Sequence, residues 1–202
     1  MLRRRPPRRR PLMRRPPPVP RGPRRPSLPP RVRQALVRAN GLLADGQFAQ
    51  AAAAFGRLSE RAGQRGMHAP AGDLALQTSR AHFAAGDVDA AIEWAKQGLR
   101  LLVRGGRVGR ASVVLPKIAS TLREKGYGDE AADLEQWATE ALAKVGLSFE
   151  EAAQRSTEVP RERGDLPARC AGCGAPLVPD EVEWHDAHTA ECLFCGALAK
   201  TT

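Results

Sequence analysis

Three similar phrases dominate the middle of this 202-residue chain: LADGQFAQAA at 43–52, AAGDVDAA at 84–91 and EKGYGDEAA at 124–132. Their glycines, Gly46, Gly86 and Gly126, are 40 residues apart, and each is followed by an alanine five residues later. A fixed period of about 20–50 residues is typical of stacked helix pairs. The spacing therefore predicts three units, each a helix, a tight glycine turn, a second helix and a longer loop to the next unit.

Apolar residues around these turns recur at helical spacing, and no alternation typical of strands interrupts them. The stripes consist of Val32, Leu36, Ala39 and Leu43; Phe48, Ala51, Ala52, Phe55 and Leu58; Val88, Ala91, Ile92, Ala95, Leu99 and Leu102; Leu115, Ile118 and Leu122; and Leu134, Ala138, Ala141 and Val145. Glycine and proline separate them at 63–66, Pro70 and 105–106. We therefore predict a mainly α fold of three antiparallel helix hairpins over residues 30–146.

The repeated pattern resembles the tetratricopeptide repeat family over residues 31–145. The first unit carries the matching residues Gly46, Phe48, Ala51 and Phe55. The second unit has Ala95 at the last of these places, and the third has Gly128 at the second place unless Tyr127 supplies the bulky group. The resemblance implies an α-solenoid whose concave face binds a peptide or protein, with longer loops because the period is 40. A related solenoid and a plain helical bundle without a groove in use are the alternatives.

All four cysteines lie near the C-terminus, in CAGC at 170–173 and CLFC at 192–195, with 18 residues between the pairs. Two C-x₂-C pairs separated by about 15–20 residues are a strong zinc signal. Glycines follow both pairs, at 174 and 196, and should let the backbone direct amide N–H groups at sulfur. The predicted ligands of one structural Zn²⁺ are Cys170, Cys173, Cys192 and Cys195. Four thiolates fill a tetrahedral shell and leave no position for a catalytic water.

The segment between the pairs predicts a β-hairpin, because Val182 and Trp184 alternate with Glu183 and His185 before a turn at 186–188. Residues 168–200 resemble the zinc-ribbon family, which implies the metal and the fold without defining a partner. We expect His185 and His188 to be exposed turn residues rather than surplus ligands. His68 is expected in a loop and His82 on a helix. So few apolar side chains lie in this segment that we expect it to unfold when the metal is removed.

The charge is unevenly distributed. Residues 1–33 contain 13 Arg, 11 Pro and no acid, residues 34–164 have a net charge of +1, and residues 165–202 have a net charge of −4. We expect the first 29 residues to form an extended, disordered tail. The tail could bind RNA, DNA or acidic lipid, it could be solvated without a partner, or translation could start within it at Met13.

The expected organisation has four parts: a tail at 1–29, a helical domain at 30–146, a helix and linker at 147–167, and a zinc ribbon at 168–202. Ser148 and Glu151 have the form of a capping box, which predicts a short helix over 149–155. No apolar run approaches the roughly 20 residues of a membrane span, and no secretion signal is evident, so we expect a cytoplasmic protein.

No phosphate-binding loop, H-E-x-x-H or G-x-S-x-G motif occurs. We therefore expect a non-enzymatic adaptor that binds a protein partner through the helical repeats and the ribbon. The alternative is a nucleic-acid-associated protein, linked to transcription or RNA, whose Arg-rich tail binds phosphate. The negative ribbon disfavours direct contact with phosphate and favours binding of a protein through Trp184 and the hairpin.

Overall fold

The computed structural model describes residues 28–144, 146, 148, 163–179, 182–192, 194–195 and 197–201. Within these residues it contains six α-helices and three short β-strands. The helices are α1 (Pro30–Ala44), α2 (Phe48–Gln64), α3 (His68–Ala84), α4 (Val88–Arg104), α5 (Val108–Glu124) and α6 (Gly128–Ala143). The strands are β1 (Glu183–Asp186), β2 (Thr189–Glu191) and β3 (Leu198–Lys200). The predicted mainly helical fold is therefore confirmed.

The structural repeat is 20 residues long, half the period inferred from the sequence. Each turn from α1 to α6 centres on a glycine with positive φ, and these are Gly46, Gly66, Gly86, Gly106 and Gly126. At each turn the amide N–H of residue 47, 67, 87, 107 or 127 donates to the carbonyl of residue 42, 62, 82, 102 or 122, at 2.8–3.0 Å. This bond is the mark of a Schellman C-cap, in which glycine adopts the left-handed conformation without steric cost.

The expectation of longer loops between the units is wrong. All five turns between the helices have the same length, and the extra residues of the 40-residue period lengthen the helices instead. Pro70 does not interrupt the helix, because it lies in the first turn of α3, where a backbone N–H has no intrahelical partner. His68, expected in a loop, is the first residue of α3.

Helix α3 lies between α2 and α4, and no apolar stripe in the sequence predicts it. Residues 71–79 are all buried, including the polar side chains of Asp73, Gln77, Thr78 and Ser79. A helix covered on every side has no solvent-facing surface and therefore no one-sided pattern. The buried hydroxyls are satisfied by carbonyls, as when the Ser79 Oγ donates to the Ala91 carbonyl at 2.6 Å.

Small residues let neighbouring helices approach closely. The fourth residue of five successive helices is a buried alanine, at Ala51, Ala71, Ala91, Ala111 and Ala131. Gly72 of α3 and Gly98 of α4 bring their backbones together: a Cβ on Gly72 would lie 2.9 Å from the Gly98 carbonyl oxygen. This spacing is too short for any larger side chain at Gly72, so the crossing requires glycine.

The C-terminal strands form one antiparallel sheet in the order β1-β2-β3. The predicted hairpin is present, with Trp184 opposite Ala190 and an irregularity between Trp184 and Asp186. Sequence analysis did not predict β3, which pairs Ala199 with Ala190 and so covers the other edge of β2.

Two predicted segments lie outside the described residues: most of the Arg-rich tail, at 1–27, and the short helix at 149–155. Among the helices that are described, none combines the length and the apolar character needed to cross a bilayer.

Candidate metal centre

The first cysteine pair lies on a tight loop closed by backbone hydrogen bonds. The Gly174 N–H donates to the Cys170 carbonyl and the Cys170 N–H to the Ala175 carbonyl, each at 2.8 Å. Gly174 has a φ of +74°. Because glycine adopts this left-handed conformation without steric cost, Gly174 lets the backbone curl at the loop, as the sequence predicted.

The structure brings all four predicted ligands together. Every pair of the four Sγ atoms lies within 4.8 Å. The Sγ atoms of Cys170 and Cys195 are 3.5 Å apart, and those of Cys173 and Cys192 are 3.7 Å apart. A tetrahedral ion with metal–sulfur bonds of about 2.3 Å requires sulfurs about 3.8 Å apart. The donor set and its spacing therefore fit a single metal ion.

Backbone amides around the cluster point at sulfur, as expected from the sequence. The Gly172 N–H donates to the Cys170 Sγ at 3.3 Å. The N–H groups of Ala175 and Ala197 hydrogen-bond to Cys173 and Cys195. The Gly174 N–H itself donates to the Cys170 carbonyl and closes the loop. Amides directed at sulfur stabilise thiolates, which are the form that binds metal.

Hydrogen bonds among the four thiols shift their pKa values in opposite directions. Hydrogen bonds from Cys173, Cys192 and Cys195 lower the pKa of Cys170. The hydrogen bond to Cys170 raises the pKa of Cys173, and so does burial, since Cys173 is fully buried. A divalent cation at the centre would favour four thiolates and release the remaining protons.

The surroundings of the cluster limit its chemistry. Cys170, Cys173 and Cys192 are buried and Cys195 is half-buried; all four cysteines of the chain are described, and none forms a disulfide. His188 is exposed on the hairpin turn, as predicted, and is not part of the cluster. The side chain of His185 lies outside the described residues. The set can hold one ion through four sulfurs.

The cysteine region, which is the described part of residues 163–201, packs against α1 at the start of the helical stack, α1–α6. The Asn40 Nδ2 donates to the Cys173 carbonyl at 3.2 Å and to the Leu36 carbonyl at 2.9 Å. Leu36 and Ala39 share a buried cluster with Cys170, Cys173 and Leu177. Sequence analysis missed this role of Asn40, because 133 residues separate it from Cys173 and no local pattern connects them.

Trp184, expected from the sequence to contact a partner, already contacts residues of its own chain. Its Nε1 donates to the Pro179 carbonyl at 2.8 Å, and the Arg163 guanidinium lies 5.7 Å from its ring centre. The tryptophan therefore supports the hairpin, and a partner would have to contact its remaining half-exposed surface.

Comparison with known proteins identifies no relative: no family model, curated protein or solved structure matches the chain.

Proposed function

We propose that this protein is a non-enzymatic adaptor in which a tetratricopeptide-like α-solenoid binds a protein partner and a zinc ribbon binds one structural Zn²⁺. The observation that carries the metal assignment is the set of four sulfurs within 4.8 Å of one another. A four-sulfur tetrahedral site favours zinc or iron, and zinc is the ion of ribbon-type sites. Four protein ligands complete the shell, so the ion has no open position for substrate or water.

The helical stack supports a binding role through its regularity. Two 20-residue helix-and-turn units make a 40-residue pair, longer than the 34-residue pair of tetratricopeptide repeats. Successive pairs that stack through glycine and alanine crossings form a continuous surface with grooves between helices. One such groove lies between α3 and α5, lined by Leu76, Ile118 and Lys117. This surface is the proposed site of protein binding in the cytoplasm.

The metal assignment is tested by elemental analysis of the purified full chain. We expect about one zinc per chain and loss of that zinc in Cys173→Ser. Iron in place of zinc would contradict the metal proposed, and a chain without metal would contradict the site itself. A visible absorption band would distinguish iron from zinc, because Zn²⁺ has a filled d shell and absorbs no visible light.

The binding role is tested by affinity capture with the full chain and with a variant lacking residues 1–27. We expect the same protein to be retained by both, after nuclease treatment and in raised salt. The competing nucleic-acid function predicts the opposite result: capture that depends on the arginines of the tail and weakens steeply with salt. Loss of all capture on deleting the tail would overturn the adaptor proposal.

A further inference from the structure

A groove of about 710 Å³ lies between the first three helices and the cysteine region. Its floor is mainly aliphatic, formed by Leu36 of α1, Leu58 of α2 and Leu74 of α3. Phe194 and Ala197 close the side next to Cys195. Because helices and cysteine region both contribute walls, the groove exists only when the two are packed together.

The rim of this groove is positively charged. Four exposed arginines line it, Arg31, Arg33, Arg61 and Arg65, from two different helices. None of the four pairs with an acidic group in the part of the chain that the structure describes. Two acidic residues also line the groove, Asp73 and Glu191, but each is about 95% buried and already engaged; Asp73 accepts from Arg110 at 2.6 Å.

We propose that this groove binds a short acidic peptide segment with aliphatic side chains, contributed by the partner of the proposed adaptor function. The carboxylates would pair with the rim arginines, whose planar guanidinium groups match a carboxylate in two parallel hydrogen bonds. The aliphatic side chains would lie on the leucine floor. Met67, 42% exposed at the edge, supplies a flexible apolar contact that adapts to different sequences.

The chemistry of the floor favours a peptide over a nucleic acid. Single-stranded nucleic acids are held by successive aromatic side chains on which bases stack, and among the described residues that line the groove only Phe194 is aromatic. A volume of 710 Å³ is in the range of about 300–1,000 Å³ typical of ligand sites, which suits a few residues of extended chain.

The test uses a displayed library of random twelve-residue peptides, selected on the zinc-loaded full chain. The test variant is Arg33→Glu with Arg61→Glu, which reverses two rim charges. The matched control is Arg38→Glu with Arg57→Glu, which makes the same charge change on exposed positions of the same two helices outside the groove. Every variant keeps residues 1–27, so peptides that bind the arginines of the tail would be held equally by all.

We expect enrichment of peptides that combine Asp or Glu with Leu, Ile or Val. Their affinity should fall about tenfold or more in the rim variant, stay within about twofold in the control, and decrease with salt. Met67→Asp should weaken binding as well, and removing the metal should abolish it because the groove loses one wall.

Three results would overturn the proposal: no enrichment of acidic peptides, equal binding by the rim variant and the control, or preferential binding of a single-stranded RNA oligonucleotide at the same arginines. The first two leave the adaptor function intact if affinity capture still retains a protein. Failure of both the selection and the capture would instead reject the adaptor function itself.

Discussion

The helical stack and the cysteine region are stabilised by different kinds of contact. In the stack, neighbouring helices pack against one another, most extensively α3 with α4 and α2 with α3, and five similar turns repeat the same hydrogen bonds. The strands described in the cysteine region have only three or four residues each, and three of the seven buried residues described there are cysteines. The stack therefore distributes its stability over many contacts, whereas the cysteine region concentrates it at one point.

Removal of the metal should show the largest difference in stability between the two regions. Structural zinc contributes an apparent 10–16 kcal/mol in small zinc domains, on the order of the whole stability of such a domain. We expect chelation, or Cys173→Ser, to make residues 163–201 sensitive to protease while most helical circular dichroism at 222 nm remains. Ala199→Ser, which changes a half-buried side chain of β3 that is not one of the four sulfur ligands, is the control. An unchanged protease pattern after chelation would show that the region folds without metal.

A substitution at Gly72 tests how much the close packing of α3 against α4 stabilises the stack. A Cβ at Gly72 would lie 2.9 Å from the backbone oxygen of Gly98 and the backbone nitrogen of Leu102, so the two helices must move apart. We expect Gly72→Ala to cost about 1–3 kcal/mol, measured by urea unfolding. Gly41→Ala is the matched control: a Cβ there meets nothing within 4 Å and should stabilise α1 by up to about 1 kcal/mol. Equal effects of the two substitutions would contradict this account.

In the cysteine region, features recorded in local sequence could be predicted, whereas features that depend on tertiary packing could not. The four ligands could be predicted because chelation by two C-x₂-C pairs imposes a spacing that local sequence records. The partners of those ligands could not, since Asn40 reaches Cys173 through tertiary packing alone. β3 is only three residues long and begins three residues after Cys195. So short a segment is not long enough to show the alternation of apolar and polar residues that indicates a strand.

In the stack, the helices with one exposed face were predictable and the covered one was not. Helix α4 carries an apolar stripe because solvent reaches its other side, whereas residues 71–79 of α3 are buried all round. The 20-residue period was also present in the sequence, at Gly66 and Gly106 as well as at Gly46. The phrases around Gly66 and Gly106 lack the acidic and alanine-rich context of the other turns, so the sequence alone favours longer loops at these positions.

Asn40 tests the contact between the two regions directly. Asn40→Ala would leave the buried Cys173 carbonyl without this donor, and we expect a cost of about 1–3 kcal/mol in the metal-bound protein. In the metal-free protein the cost should be smaller, because the cysteine region no longer presents that carbonyl. Urea unfolding of both variants with and without zinc gives the coupling energy. Equal costs in the two states would show that Asn40 acts only within α1, through its bond to Leu36.

The smallest expected effect concerns the hairpin turn of the cysteine region. The His188 N–H donates to the Asp186 carboxylate at 2.7 Å, and this bond holds the pKa of Asp186 below its ordinary value. The stabilisation of the turn is therefore fully present above about pH 3.9, the usual pKa of an aspartate, and is lost as pH falls through the lower folded value. The amide chemical shift of His188, followed by NMR from neutral to acid pH, should report that lowered midpoint. Asp186→Asn keeps an acceptor without the titrating charge and should remove the transition, whereas a midpoint at or above pH 3.9 in the unmodified chain would show that the carboxylate is not held by this bond.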